Sequence, residues 1–130
     1  MTKILKYVFK ETEKYLEQFS KTERKKKGQF FTSRETAEYM ASLFKINDEN
    51  DEVSILDPGS GTGILSVAFA ERLLNESKTK KIHITCYETD ENVLPILKKN
   101  LLFLEKNSKN RVHFKVLEND YLISQLDEYN

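Results

Sequence analysis

A chain of 130 residues, 38% hydrophobic and 32% charged, has the length of one small domain or of a piece of a larger one. Lys+Arg and Asp+Glu balance at 21 each, so no global charge draws the chain to nucleic acid, and any such contact must come from a local patch. The single cysteine, Cys86, excludes an internal disulfide and every multi-cysteine metal site, no metal is expected, and a reducing, cytoplasmic setting fits. No apolar run approaches the roughly 20 residues that span a bilayer, and the amino terminus lacks the apolar core of a signal peptide, so no membrane role is expected.

From Lys3 to about Thr22, Leu5, Val8, Phe9, Leu16 and Phe19 recur at helical spacing with Thr12 on the same face, opposite a mixed Lys and Glu side. This predicts an amphipathic helix that packs on the domain. The run Lys21 to Lys27 that follows reads as a solvated basic loop or as a contact for a nucleic-acid backbone. Gly28-Gln29-Phe30-Phe31-Thr32-Ser33 then sets two adjacent aromatics before a new helix. Thr32-x-x-Glu35 reads as its capping box, with Ser33 in the first helical position and Ala37, Met40, Ala41 and Phe44 as the buried face.

The chain is organised around Ile55-Leu56-Asp57-Pro58-Gly59-Ser60-Gly61-Thr62-Gly63-Ile64-Leu65. Three of the four glycines fall between Gly59 and Gly63, directly after one of the two prolines. A short apolar run leads in at 53–57 and an apolar segment of helical length follows, so the glycines occupy a strand-to-helix turn. Glycine there permits positive φ and close backbone approach, and the free amides of the helix start face the same spot. The stretch reads as a cofactor loop. A dinucleotide loop would continue G-x-G-x-x-G, but Ser66 stands where the last glycine belongs. Asp57 just before the turn would repel a pyrophosphate, whereas it suits a ligand with an ammonium or sulfonium group. S-adenosylmethionine carries both, and D-P-G-S-G-T-G resembles the first motif of class I S-adenosylmethionine-dependent methyltransferases.

Further strands are predicted at 82–87 and 112–117. Between them Leu94, Leu97, Leu101 and Leu104 mark a helix starting near Glu91 or Asn92, since Pro95 is tolerated only in a first turn. A short helical tail follows. Strands alternating with helices imply right-handed βαβ units and a parallel sheet, with ligands at the carboxyl ends of the strands. Those ends carry Asp57, Glu88 and Asp120. Glu88 is suited to accept both hydroxyls of an adenosine ribose, and Asp90 reads as a helix cap near it. Asp120 is either an acceptor for the adenine amino group or a turn acid; Tyr121 is either a stacking ring or a half-buried aromatic. His83 and His113 receive no role.

Gly28-Gln29-Phe30-Phe31-Thr32, then the glycine loop, then Tyr87-Glu88-Thr89-Asp90, then Asn119-Asp120-Tyr121 resemble the amino-terminal half of adenine-specific DNA methyltransferases of restriction–modification systems, in the gamma order of motifs. The resemblance covers about residues 25–122. It implies a Rossmann-like class I methyltransferase fold with a partial, three-stranded parallel sheet. Residues 1–27 would form an amino-terminal helix and basic linker, and residues 28–130 a partial S-adenosylmethionine-binding domain. It also implies that Thr32 closes over the methionine part of the cofactor, with Phe30 and Phe31 lining the site. Asp57, Pro58, Gly59, Ser60, Gly61 and Gly63 would hold the methionine end, Glu88 the ribose, and Asp120 with Tyr121 the adenine.

Two departures from the family pattern stand out. Ser33 replaces the usual proline after the threonine, which removes a preorganising device and no ligand. The catalytic motif, Asn or Asp followed by Pro-Pro and an aromatic, is absent, since the only prolines are Pro58 and Pro95. That motif accepts hydrogen bonds from the adenine amino group and stacks the flipped base. No catalytic residue is therefore expected in this chain. It should bind the methyl donor, transfer nothing, and leave an open edge on the 53–57 strand that the amino-terminal helix or self-association would cover. DNA would be met through the full-length protein. The alternatives are part of an RNA or protein methyltransferase, or a non-catalytic S-adenosylmethionine-binding module.

Overall fold

The computed structural model describes residues 3–28, 31–47 and 50–129. Helices α1 (Lys3–Glu17), α2 (Lys21–Gly28) and α3 (Arg34–Leu43) precede strand β1 (Glu52–Asp57). The chain then alternates through α4 (Ile64–Glu76), β2 (Lys81–Tyr87), α5 (Leu94–Lys106), β3 (Val112–Leu117) and α6 (Tyr121–Tyr129). The strands make a 3-stranded parallel sheet in the order β1-β2-β3, as the alternation predicts.

Register decides which side of the sheet is core. Ile55 pairs with Ile84 and Ile84 with Phe114, so these side chains share one face with Val53, Ile82, Cys86, Val112 and Val116. Two right-handed crossovers running in the same direction put α4 and α5 over that face. There Val67, Ala70 and Leu73 meet Leu97, Leu101 and Leu104 in one hydrophobic cluster. The opposite face carries Ser54, Leu56, His83, His113 and Lys115, and Leu56 is 52% exposed. Parallel strands are ordinarily covered on both faces; among the described residues, this sheet is covered on one.

Helix α1 is part of the core. Leu5 and Val8 belong to the hydrophobic cluster, Tyr7 stacks on Phe103 with ring centroids 3.8 Å apart, and Lys99 pairs with Glu11 at 2.9 Å. At its start the Leu5 amide donates to the Glu71 carboxylate at 2.6 Å, so a side chain of α4 caps α1. Because α1 packs on α4 and α5, it does not cover β1, contrary to one sequence-based expectation. Among the described residues the edge of β1 pairs with no strand beyond β2.

Three local expectations are corrected. The basic run from Lys21 is helical, with Ser20 Oγ accepting the Glu23 amide at 3.2 Å. The cap of α3 is Ser33, which is extended and whose Oγ accepts the Thr36 amide while its carbonyl accepts the Ala37 amide; Thr32 lies one residue outside. Helix α5 starts at Leu94, after a turn in which the Asp90 carbonyl accepts the Val93 and Leu94 amides. Two arginines close helix ends by donating to carbonyls of the last turns and the loops beyond them. Arg72 reaches Ala41 and Phe44 at the end of α3, and Arg111 reaches Leu73, Leu74, Ser77 and Thr79 around the end of α4.

Candidate cofactor cleft

The turn between β1 and α4 is built by two left-handed glycines, Gly61 at φ +55 and Gly63 at φ +90. A Cβ on Gly61 would stand 3.3 Å from the Phe31 ring, and one on Gly63 would stand 3.0 Å from Leu97 Cδ1. Both positions therefore require glycine, for backbone angle and for space. Gly63 is the N-cap of α4 and supplies no side-chain cap, so the first amides of α4 open toward the same cleft. At Gly59 an added Cβ would meet nothing within 4 Å.

The loop is tied to the end of β2 at two points. Ser60 donates its amide to the Tyr87 carbonyl at 3.1 Å, and Gly61 donates to Glu88 Oε1 at 2.6 Å. Glu88 Oε2 accepts the Thr89 and Asp90 amides, each at 3.0 Å, and Asp90 Oδ1 accepts the Asn92 amide at 2.9 Å. One carboxylate thus organises two loops at the carboxyl edge of the sheet.

The resulting cleft, about 190 Å³, is lined by Phe31, Thr32, Gly59, Ser60, Gly61, Thr62, Ile64, Leu65, Glu88, Asp90 and Val93. Phe31, Thr32, Gly59, Ser60, Gly61 and Glu88 of the expected set are brought together there. Phe30 lies outside the described residues. Asp57 and Pro58 face a neighbouring apolar groove along β1 with Ile55, Leu56, Leu65 and Phe69. Asp57 is buried and accepts the Ser66 hydroxyl at 2.7 Å, which gives the residue in place of the third glycine its structural work. Gly63 shapes the turn without lining the cleft. Asp120 caps α6 by accepting the Ile123 amide at 3.1 Å, and Tyr121 packs edge-on against Tyr87, with centroids 5.1 Å apart. Neither lines the cleft. Asp90 lines the cleft, and its carboxylate braces the turn ahead of α5 through Asn92; the N-cap of α5 itself is Val93, not Asp90 as the sequence suggested.

Thr62, Ile64, Leu65 and Val93 were not singled out by sequence. The available signal was position: the first turn of a helix after a glycine loop faces whatever the loop holds. The cleft walls carry two carboxylates and no lysine or arginine among the described residues. Behind them, burial pushes the Cys86 thiol up from its ordinary value, and burial followed by the charge of Asp90 does the same to the Tyr15 hydroxyl. Tyr15 packs edge-on to Phe31, with centroids 6.0 Å apart.

Glycine turn, acidic second strand end and parallel sheet together define a Rossmann-like methyltransferase fold. A crystal structure described as a putative O-methyltransferase from Klebsiella pneumoniae superposes with TM-score 0.55 over 98% of this chain and 47% of that one, at 12% identity, which bears on the fold alone. The family model described as N-6 DNA Methylase matches residues 8–128, and the chain belongs to that family. It is 34% identical over 115 residues to the Type II methyltransferase M.PstI of Providencia stuartii, covering 82% of this chain and 21% of that protein. It is also 33% identical over 98 residues to the Ribosomal RNA small subunit methyltransferase A of Mesomycoplasma hyopneumoniae (strain J / ATCC 25934 / NCTC 10110), covering 75% of this chain and 30% of that protein. The chain thus spans 21% and 30% of the lengths of these two relatives.

Proposed function

We propose that this chain is the S-adenosylmethionine-binding part of a DNA adenine methyltransferase. The observation that carries the reading is the cleft itself: a two-glycine loop locked to Glu88, with carboxylates and, among the described residues, no basic side chain around it, in a chain of the N-6 DNA methylase family. The donor set fits the cofactor. Glu88 and Asp90 are acceptors for ribose hydroxyls, the loop amides are donors for the amino-acid end, and Ile64, Leu65, Val93 and Phe31 give the apolar wall. Thr32 belongs to the same wall. Carboxylates that hold backbone amides but face no described basic side chain favour a cationic ligand over a pyrophosphate. When bound, the cofactor supplies the methyl group; the residues here bind and orient it.

Calorimetry with S-adenosylmethionine, its demethylated product and NAD tests the reading. Binding of the first two is expected, and binding of NAD alone would overturn it. Asp57, Pro58, Gly63, Asp120 and Tyr121 are proposed as site residues through the motifs they occupy, Asp57 acting through its bond to Ser66. Transfer to adenine requires acceptors for its amino group and a stacking aromatic, which no Pro-Pro motif here supplies. A radiolabelled transfer assay on adenine-containing DNA should therefore read background with this chain alone.

The exposed Lys21, Arg24, Lys25 and Lys26 of α2 favour weak, salt-sensitive contact with DNA. The open edge of β1 with exposed Leu56 favours self-association, readable as a concentration-dependent mass. A cytoplasmic site of action fits the reading, and no described helix is long and apolar enough to cross a membrane. A second reading, part of an RNA methyltransferase, draws on the similarity to the ribosomal RNA enzyme. Competition between duplex DNA and structured RNA for the chain at low salt separates the two.

A further inference from the structure

Thr62 is the residue between the two left-handed glycines, and although it lines the cleft it is only 1% exposed. Its carbonyl accepts the Asn100 Nδ2 of α5 at 2.8 Å, and its hydroxyl lies 2.7 Å from that of Thr12 on α1. The Thr12 hydroxyl also lies 2.8 Å from the Val8 carbonyl. A carbonyl can only accept, so the single Thr12 proton serves Val8, and the Thr62 hydroxyl donates to Thr12. The loop peptide is thereby held from two helices, at its side chain by α1 and at its carbonyl by α5.

Two observations argue that this tether does more than stabilise the fold. Asn100 is 0% exposed and its Oδ1 has no hydrogen-bond partner among the described residues, a costly arrangement that a leucine would avoid. Polar groups kept at such a cost tend to mark functional positions. Helix α1 is also anchored along its length before it reaches the loop, by Leu5 to Glu71, Tyr7 to Phe103 and Glu11 to Lys99. Thr12 therefore presents its oxygen from a fixed position.

We propose that Thr12 is a positioning residue for the cofactor loop, acting with Asn100 through Thr62 to hold the Gly61–Gly63 peptides in the arrangement that faces the cleft. The proposal rests on the reading of the cleft as an S-adenosylmethionine site for one readout only. Thr12→Val keeps the shape and removes the oxygen, leaving the Thr62 hydroxyl buried without an acceptor; Thr12→Ser keeps the oxygen. With S-adenosylmethionine as the probe, below the melting temperatures of all variants, Thr12→Val should bind roughly tenfold more weakly and Thr12→Ser within about twofold of the natural chain.

In the ligand-free chain, the amide resonances of Gly61, Thr62 and Gly63 should move in Thr12→Val and stay in Thr12→Ser. Asn100→Leu is the second variant should Thr12→Val fail to fold. It removes the orphaned oxygen along with the tether, and it too should move those resonances and weaken binding. Unmoved loop resonances, or a serine variant as impaired as the valine one, would overturn the proposal. Absence of S-adenosylmethionine binding by the natural chain would instead overturn the cofactor reading, and the resonances would still test the tether.

Discussion

The Glu88 carboxylate accepts the Gly61 amide at 2.6 Å, so the acid at the end of β2 is also the strut of the glycine loop. Its second oxygen holds the Thr89 and Asp90 amides, which leaves about one of its roughly four lone-pair sites for an incoming hydroxyl. A ribose diol must take that site and share or displace the Gly61 bond. Glu88→Gln keeps one acceptor oxygen, enough for Gly61, but removes the charge and puts an NH2 donor where the Thr89 and Asp90 amides donate; it should weaken S-adenosylmethionine binding by about 1.5–3 kcal/mol and lower the melting temperature. Glu88→Ala should also lower the melting temperature, because all three loop amides lose their acceptor. Calorimetry beside thermal melting reads both effects, and a Gln variant that binds as the natural chain does would contradict a charged contact.

The two outer glycines of the motif should differ in their tolerance of a side chain. At Gly63, φ +90 and Leu97 Cδ1 at 3.0 Å both oppose a Cβ, so Gly63→Ala should cost at least about 1–2 kcal/mol from the left-handed backbone alone. At Gly59 nothing lies within 4 Å, and Gly59→Ala should leave stability unchanged. Denaturant unfolding of the pair decides it, equal losses being the contrary result.

The strands and the α4 and α5 stripes were legible in sequence because β-branched runs and leucines at steps of three and four carry their own period. Helix α2 was not, for it has no apolar period to see; it rests on the helix propensity of Lys, Glu and Arg and on Ser20-x-x-Glu23, a capping signal hidden by the charge run. In the site, the glycine turn and Glu88 were legible through backbone chemistry and strand position. The Thr12–Thr62–Asn100 contact was not, since it joins residues far apart in sequence, although Thr12 on an apolar helical face was its one visible trace.

The cap of α3 separates Ser33 from Thr32. Ser33 Oγ accepts the Thr36 amide, whereas Thr32 lines the cleft. Ser33→Ala should cost about 1 kcal/mol in stability with little change in affinity. Thr32→Val should do the reverse. Melting and binding measured on both variants test the division of labour, and a stability loss in the Thr32 variant equal to that in the Ser33 variant would contradict it.

Tyr15 is 4% exposed and its hydroxyl is buried without a hydrogen-bond partner among the described residues, while its ring packs against Phe19 and Phe31. Tyr15→Phe keeps the ring contacts and removes the unpaired oxygen. It should stabilise the chain by about 1–3 kcal/mol, the usual cost of an unsatisfied buried group. A lower unfolding midpoint in denaturant would mean that the hydroxyl has a partner in solution.

Glu71 gives the docking of α1 a pH dependence of unusual sign for a carboxylate. It is buried on α4, where desolvation raises its pKa above the ordinary 4.5, outweighing the lowering by the Leu5 amide, and the charge of Glu38 raises it further. A carboxyl that binds its proton more tightly when folded contributes stability that is complete below the unfolded value and is lost as pH rises through the folded value. Glu71→Gln keeps an oxygen for the Leu5 amide and carries no charge to desolvate. The variant should therefore be more stable than the natural chain at neutral pH, with the difference closing as pH falls through the raised folded value and gone below the ordinary carboxylate value. Glu11 acts in the opposite sense. Its hydrogen bond to Lys99 lowers its pKa, so its contribution is present above the ordinary value and lost on acidification. Unfolding curves of Glu71→Gln and Glu11→Gln across the acid range should then diverge from the natural chain in opposite directions at neutral pH and converge with it below both carboxylate pKa values. A Glu71→Gln chain that is less stable at neutral pH would mean that the ionised carboxylate, held by the Leu5 amide of α1, is the stabilising form.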